Sequence, residues 1–561
     1  MDQAYGRKNP AAILNLDVNE EHFMKTIYHN ARVYTGTLPL QEAFIVENGL
    51  FTFAGSSSDA LAYRCEGDKA VDLSGAFVCA GFNDSHMHLL GYGNTLSNAR
   101  LEQHTQGLAD VLQCLREFAA QRTSNTGWII GRGWNHDYFK DVSRMPNRYD
   151  LDKVSTELPV CAVRACGHAL AVNSKALELL GITARTPQPD GGEVGMENGE
   201  PNGLFFDNAM DLVYSSMAAP DKDSLKDMIR NACRALNAYG ITSCQSDDYC
   251  VFSSLPWQNV NEAFQELESD GELTVRVYEQ ANFMDTESLR EFITAGNRTG
   301  IGTDRFKIGP LKMLGDGALG PRTAFLSRPY ADAPDTCGIP VFSQETFDDM
   351  ISLANREGMQ VAIHAIGDAC LDRVLSAINK ALGEHPRDDH RHGIVHCQIT
   401  REDQLREIAS RKLHVYAQSI FLDYDIAIVS ERVGTDLAAT SYSWKTLMHH
   451  GATVSNGSDS PVEQPFVLGG IQCSVTRSNL RNDIAPYLPH EAFTVQEALD
   501  SYTSNGAYAS FEEHIKGKIT PGMLADFVVL EQSPFDVDPK HIKDIKVLAT
   551  YLDGKKVYTC Q

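Results

Sequence analysis

The chain has 561 residues, 43% of them hydrophobic and 22% charged, with 74 Asp and Glu against 49 Lys and Arg. This balance belongs to a folded globular protein rather than a disordered one, and the length exceeds what one hydrophobic core serves, so two or more packed units are expected. A net charge of -25 repels phosphate backbones and anionic lipid heads, which argues against nucleic-acid partners, and no run of about 18 uncharged apolar residues exists to span a membrane.

The N-terminal stretch from Met1 to Asn15 carries no apolar run followed by a small-residue cleavage site, so a cytoplasmic location is the expectation. The 13 cysteines are scattered and none forms a C-x-x-C pair, which reads as reduced, buried small side chains rather than disulfides or a thiolate site.

Short strands open the chain: Lys25 to Tyr34, Glu42 to Val46, then Phe51 to Ala54 after an Asn48-Gly49 turn. Asn-Gly between β-rich runs favours a type I′ hairpin, whose two central residues both need positive φ. The same texture returns in Ala525 to Leu530, Ile545 to Tyr551, Asp553-Gly554 and Lys556 to Tyr558. Two β segments bracketing a long middle predict one composite β-sandwich built from residues 1–79 and 511–561.

The middle, residues 80–510, alternates short apolar runs with helix-like stretches. The runs are Ala76 to Phe82, Gly240 to Cys244, Leu273 to Tyr278, Phe306 to Met313, Met359 to Ile363, Gly393 to Val395, Leu413 to Ala417 and Ala452 to Ser455. Eight such strands predict an α/β fold, a parallel (β/α)8 TIM barrel. The long gap after the first strand predicts an insertion, about residues 101–225, over the barrel mouth. Thr494-Val-Gln-Glu497 reads as a capping box for the last helix.

Histidines and one carboxylate stand at the ends of these runs. In Gly81-Phe-Asn-Asp-Ser-His86-Met-His88 the two imidazoles point to one side of extended backbone. Alone, such a pair is as often solvated or buried in a core as it is metal-binding. His364 ends one later strand, His396 the next, and Asp459 follows the last. Polar groups at the C-terminal strand ends of a barrel converge on one mouth, so four histidines and an Asp point to a metal centre of the zinc class.

Lys312 lies near the end of the fourth strand, where a buried ammonium needs an anionic partner or chemical alteration. A salt bridge to Asp316 or Asp84 is one reading, and carboxylation to a bidentate anion is the other. The nearby Gly315-Asp-Gly317-Ala-Leu-Gly320 matches a dinucleotide fingerprint only superficially, because Pro321, Pro329 and Pro334 interrupt the helix it requires. Trp134, His136, His168 and Arg322 are candidates for substrate contact, with Arg322 alternatively pairing with Asp316 to orient its loop.

In this order His86-x-His88, Lys312, His364, His396 and Asp459 resemble the metal-dependent amidohydrolase superfamily, and more closely its family-3 branch of N-substituted formamide deformylase-like proteins. Matching stretches include Gly131-Arg-Gly-Trp134, Gly167-His168-Ala-Leu-Ala-Val-Asn-Ser, Lys312 to Arg322, His364-Ala-Ile-Gly-Asp368, Gly457-Ser-Asp-Ser-Pro461 and Gly522 to Leu530. The resemblance implies one or two divalent ions, Zn2+ by type, with His86 and His88 on the more buried ion and His364 and His396 on the second. Lys312 would bridge as N6-carboxylysine, while Asp459 would bind metal and carry protons.

The implied reaction is attack of metal-bound hydroxide on a small-molecule N-acyl or N-formyl amine. A deaminase or cyclic amidase with the same centre, and a non-catalytic regulatory protein on a hydrolase fold, are the alternatives. A homodimer is an assembly open to it. Arg164-Ala-Cys166-Gly-His168 and Ile394-Val-His-Cys397 depart from the branch pattern, which bears on the substrate rather than the reaction class.

Overall fold

The computed structural model describes residues 24–104, 106–121, 127–164, 169–189, 192–217, 220–252 and 255–560. Eight parallel strands run in sequence order around one sheet: β1 (Phe82–Met87), β2 (Ile241–Ser246), β3 (Arg276–Asn282), β4 (Phe306–Leu314), β5 (Val361–Ala365), β6 (Gly393–His396), β7 (His414–Ala417) and β8 (Val454–Asn456). The seam between β8 and β1 is drawn together beyond β8, where Asp459 N donates to His86 O and His88 N donates to Ser460 O, each at 2.8 Å. The barrel expected from the apolar runs is present. β2, β5, β7 and β8 begin one or two residues later than those runs, β4 and β6 begin with them, and most of the strands extend past the ends of the runs, because barrel pairing continues to the mouth.

The first strand differs from expectation. Phe77–Ala80 belongs to the composite sandwich, pairing with Arg32–Val33 and with Phe527–Leu530, and barrel strand β1 starts only at Phe82. The extended chain crosses from one sheet to the other at Gly81, whose N–H bonds Asp526 O at 3.0 Å. A Cβ there would lie 2.2 Å from Thr242 Oγ1, so glycine is what permits the crossing. His86 consequently lies inside β1, not past its end.

The sandwich has two sheets. One holds Leu50–Gly55, Ala43–Glu47, Thr26–His29 and Lys69–Asp72; the other holds Arg32–Val33, Phe77–Ala80, Phe527–Leu530, Val547–Leu552 and Lys555–Thr559. Strand periodicity explains the continuous apolar runs read in the sequence. Phe527 and Val529 face the sandwich core with Tyr28, Phe44 and Val78, while Val528 and Leu530 face the barrel's core with Phe77 and Cys79. The hairpin turns follow their chemistry: Asn48 and Gly49 have φ of 53° and 78°, and Asp553 and Gly554 have 49° and 69°.

The insertion leaves from the C-terminal end of β1 through the helix Leu89–Leu96. It forms a six-stranded sheet ordered Gly192–Glu197, Glu200–Asp207, Ala169–Val172, Val160–Arg164, Ile129–Trp134 and Ala99–Arg100. It has its own apolar core, in which Val111, Leu112 and Leu115 of the helix Leu108–Gln121 pack with Trp134 and Val160. The Thr494 capping box starts the helix Val495–Ser501. No helix among the described residues is long and apolar enough to cross a membrane, and the cysteines among them are free thiols.

Candidate metal centre

The strand ends bring His86, His88, His364, His396 and Asp459 together. Asp459 Oδ1 lies 3.3 Å from His86 Nε2 and 3.2 Å from His88 Nε2, and one donor atom from each of the three falls within 4.8 Å of the others. Ring centroids continue the cluster from His86 to His396 at 5.6 Å and from His396 to His364 at 4.4 Å.

Each ring is oriented from behind. His86 Nδ1 donates to Gln280 Oε1 and His396 Nδ1 to Gln418 Oε1, both at 2.7 Å. The amide orientations are fixed because Gln280 Nε2 donates to Ser85 O and Gln418 Nε2 to Tyr416 O. His88 Nδ1 donates to the backbone oxygen of Asp247 at 2.8 Å, and His364 Nε2 to Gly317 O at 3.1 Å. Carbonyl oxygens only accept, so in the neutral rings these bonds leave the lone pair on Nε2 of His86, His88 and His396 and on Nδ1 of His364. Such outer hydrogen bonds are how metal-binding histidines are commonly held.

The electrostatics agree with cation binding. Burial, aided by Lys312, pushes His86 below the usual histidine range, and burial with His364 pushes His396 well below it. Both rings are therefore neutral and able to coordinate. Burial alone would raise the Asp459 carboxyl, yet the His86 and His88 rings that face it hold it well below the carboxylate range. Burial lowers His88, but Asp459 and Asp247 outweigh it and push this imidazole up to about 9, so a divalent ion here would displace its Nε2 proton. Imidazoles and a carboxylate around one point form a donor set suited to a borderline-soft divalent ion.

The backbone is bent to achieve this. His396 and Asp459 have φ of 74° and 58°, left-handed values that cost a non-glycine residue roughly 1–2 kcal/mol and that cluster at functional sites. Asp84, buried in β1, restrains the Asp459 loop: it accepts Ser458 N at 2.9 Å and Ser458 Oγ at 2.5 Å. Burial pushes its carboxyl up to about 7. Gly457 makes the close approach possible, since a Cβ there would stand 2.5 Å from His86 N.

Lys312 is fully buried in β4, and its Nζ donates to Asp247 Oδ2 at 3.2 Å. The ion-pair partner is thus Asp247, which follows β2, and neither Asp316 nor Asp84. Asp316 instead accepts backbone N–H groups from Phe325, Ile366 and Gly367. Arg322, with a φ of 63°, pairs with Asp332, its Nη2 at 2.6 Å, so the expected contact with Asp316 is replaced by one within its own loop, and Asp332 also binds Arg432.

Trp134 is completely buried in the core of the insertion, where its Nε1 donates to Ala162 O at 2.8 Å. This indole is committed to packing the inserted sheet and is not exposed to a ligand. His136 is half-buried on the following turn, its ring 6.1 Å from that of Trp134. His168 lies outside the described residues. Sequence reasoning missed Asp247, Asn282, Gln280, Gln418 and the restraining role of Asp84. β3 is buried along its whole length, so no alternation marked Gln280 or Asn282 in the sequence.

Residues 69–558 match the model of the amidohydrolase family. The chain is 33% identical to the "putative amidohydrolase YtcJ" of Bacillus subtilis over 543 residues, covering 95% of this chain and 99% of that one. It is 24% identical to the N-substituted formamide deformylase of Arthrobacter pascens, covering 94% and 96%. A solved structure of an uncharacterized metal-dependent hydrolase from Pyrococcus furiosus superposes with a TM-score of 0.76 at 27% identity, covering 91% of this chain and all of that one. With a barrel mouth that gathers four histidines and an aspartate, and with residues 69–558 matching the family model, the chain belongs to the amidohydrolase family of hydrolases that act on carbon–nitrogen bonds.

Proposed function

We propose that this protein hydrolyses a non-peptide carbon–nitrogen bond in a small N-acyl or N-formyl amine, at a centre of one or two Zn2+ ions. His86, His88, His364, His396 and Asp459 would hold the metal, with Lys312 as a carboxylated bridge. The observation that carries this reading is the single oxygen of Asp459 facing Nε2 of both His86 and His88, with both outer nitrogens already engaged. A divalent ion there supplies Lewis acidity, polarising a carbonyl and making water nucleophilic near neutral pH.

The chain's own residues do the rest. The four imidazoles are oriented before any ligand arrives. Asp459 is buried yet held anionic, which suits it to accept the attacking water's proton on a carboxylate oxygen and return it to the departing amine nitrogen. The Asp84 clamp on Ser458 keeps that carboxylate over the site. His136 and His168 keep the substrate-contact role that the sequence assigns them, whereas Arg322 and Trp134 act through the loop and the sheet they hold. The free thiols fit a cytoplasmic setting.

The test is turnover of a panel of N-formyl and N-acyl amines by protein stripped with a chelator and reloaded with Zn2+. Activity that disappears and returns with metal supports the reading. Ammonia released from a cyclic amidine, with no amide in the panel cleaved, would replace it by a deaminase, and metal-loaded protein that turns over nothing would point to a regulatory role.

A further inference from the structure

β2, β3 and β4 end side by side in a buried polar knot whose acidic member, Asp247, has no part in the proposed chemistry. Asp247 is its centre. Its Oδ2 accepts from Lys312 Nζ at 3.2 Å and from Asn282 Nδ2 at 3.0 Å. Its backbone oxygen accepts from His88 Nδ1 at 2.8 Å. Asp247 is 2% exposed, Asn282 4% and Lys312 0%, and Asn282 and Lys312 are direct register partners across β3 and β4.

Asn282 is informative because its amide does little else. Its Oδ1 is buried with no hydrogen-bond partner among the described residues, so the one side-chain bond it makes is the donation to Asp247. A buried amide acceptor left unpaired is costly, and a core position that bears this cost for one bond to one carboxylate is there to fix that carboxylate.

We propose that Asp247, set by Asn282, is a positioning residue that couples His88 to Lys312, so that the ring of one metal-holding residue and the head of the other reach the centre in a single geometry. This rests on the ligand set proposed above. The lysine head sits on four rotatable bonds and needs an anchor. Carboxylation, in which the free amine and CO2 give the carbamate and one proton, leaves a single N–H on Nζ. Asp247 Oδ2 is the acceptor for that N–H, which turns the new carboxylate away from Asp247.

The experiment measures Zn2+ affinity of chelator-stripped protein by competition with a chromophoric chelator, after melting curves show each variant folded at the assay temperature. The set is wild type, Asp247→Ala, Asp247→Asn, Asn282→Ala and Lys312→Met. Asp247→Ala should weaken Zn2+ binding roughly 10–100-fold, the usual consequence of losing an outer partner of a metal ligand. Asn282→Ala should weaken it less, and Asp247→Asn, whose amide oxygen can still accept from Nζ, should recover most of the loss.

Unchanged affinity in Asp247→Ala and Asn282→Ala, beside a weakened Lys312→Met, overturns the coupling and leaves the ligand set standing. Unchanged affinity in Lys312→Met overturns both. Should Asp247→Ala fail to fold, Asn282→Ala against Lys312→Met makes the same decision.

Discussion

Arg276 at the start of β3 ties the barrel to the sandwich, and replacing it with Met should be among the most destabilising single changes in the chain. Its guanidinium is bidentate on Asp526, Nε to Oδ2 at 2.6 Å and Nη2 to Oδ1 at 3.0 Å, with both side chains about 95% buried. Asp553 binds Arg276 as well, and Arg305 also binds Asp553. Removing one partner of a buried ion pair strands the other charge, at a cost of about 3–5 kcal/mol.

Asp526 keeps a bond from Asp553 N at 2.9 Å, which places Arg276→Met near the lower end. About 3 kcal/mol corresponds to roughly two decades in an equilibrium constant. Urea denaturation followed by circular dichroism measures it. Exchanging both residues, Arg276→Met with Asp526→Leu, should cost clearly less than the single change, because no buried charge is then stranded. The reasoning is refuted if the single substitution costs under about 1 kcal/mol, the level of an exposed pair, or if the double variant is no more stable than the single.

Gln280→Leu should leave the fold intact and weaken Zn2+ binding roughly 10–100-fold by freeing the His86 ring; chelator competition reads this, and unchanged affinity counts against preorientation. Glu512, buried between Lys307 and Lys516, has its carboxyl lowered from 4.5 to about 2, where burial opposes and the two lysines prevail. Its folded pKa lies below its unfolded one, so its contribution of about 3 kcal/mol is complete above pH 4.5 and is lost as pH falls from there toward 2. Glu512→Gln should therefore flatten the acid limb of the stability curve in that window, and an unaltered limb would show that the pair carries no linkage.

The barrel and the gathering of the candidate ligands at its mouth were legible because the residues there end apolar runs: His364, His396 and Asp459 each close a run whose pattern is plain in one dimension. The residues that orient them were not legible. Gln280 and Asn282 lie within β3, where a polar side chain turned into the barrel leaves no periodic mark that distinguishes it from a core polar residue. Lys312 was correctly seen to need an anion, but its neighbour across the sheet, Asp247, is 65 residues away and is brought close only by strand pairing.

Trp134 misled for a related reason. Gly131-Arg-Gly-Trp134 ends a strand just as the barrel histidines do, but that strand belongs to an inserted sheet with its own core, and a linear pattern does not tell two cores apart. The strand around Ala76 to Phe82 was one apolar run serving two sheets. Only the close approach of Thr242 to Gly81 reveals where the first ends.

The most direct test of the centre is Asp459→Asn, assayed for bound metal and for amide turnover against wild type. Metal content should stay near wild type, since His86, His88, His364 and His396 are untouched and the replacement amide keeps an oxygen facing His86 and His88, while turnover falls about 10²–10⁴-fold, the range attributable to a positioned proton carrier. A variant that holds its metal and cleaves amides at the wild-type rate would contradict the account.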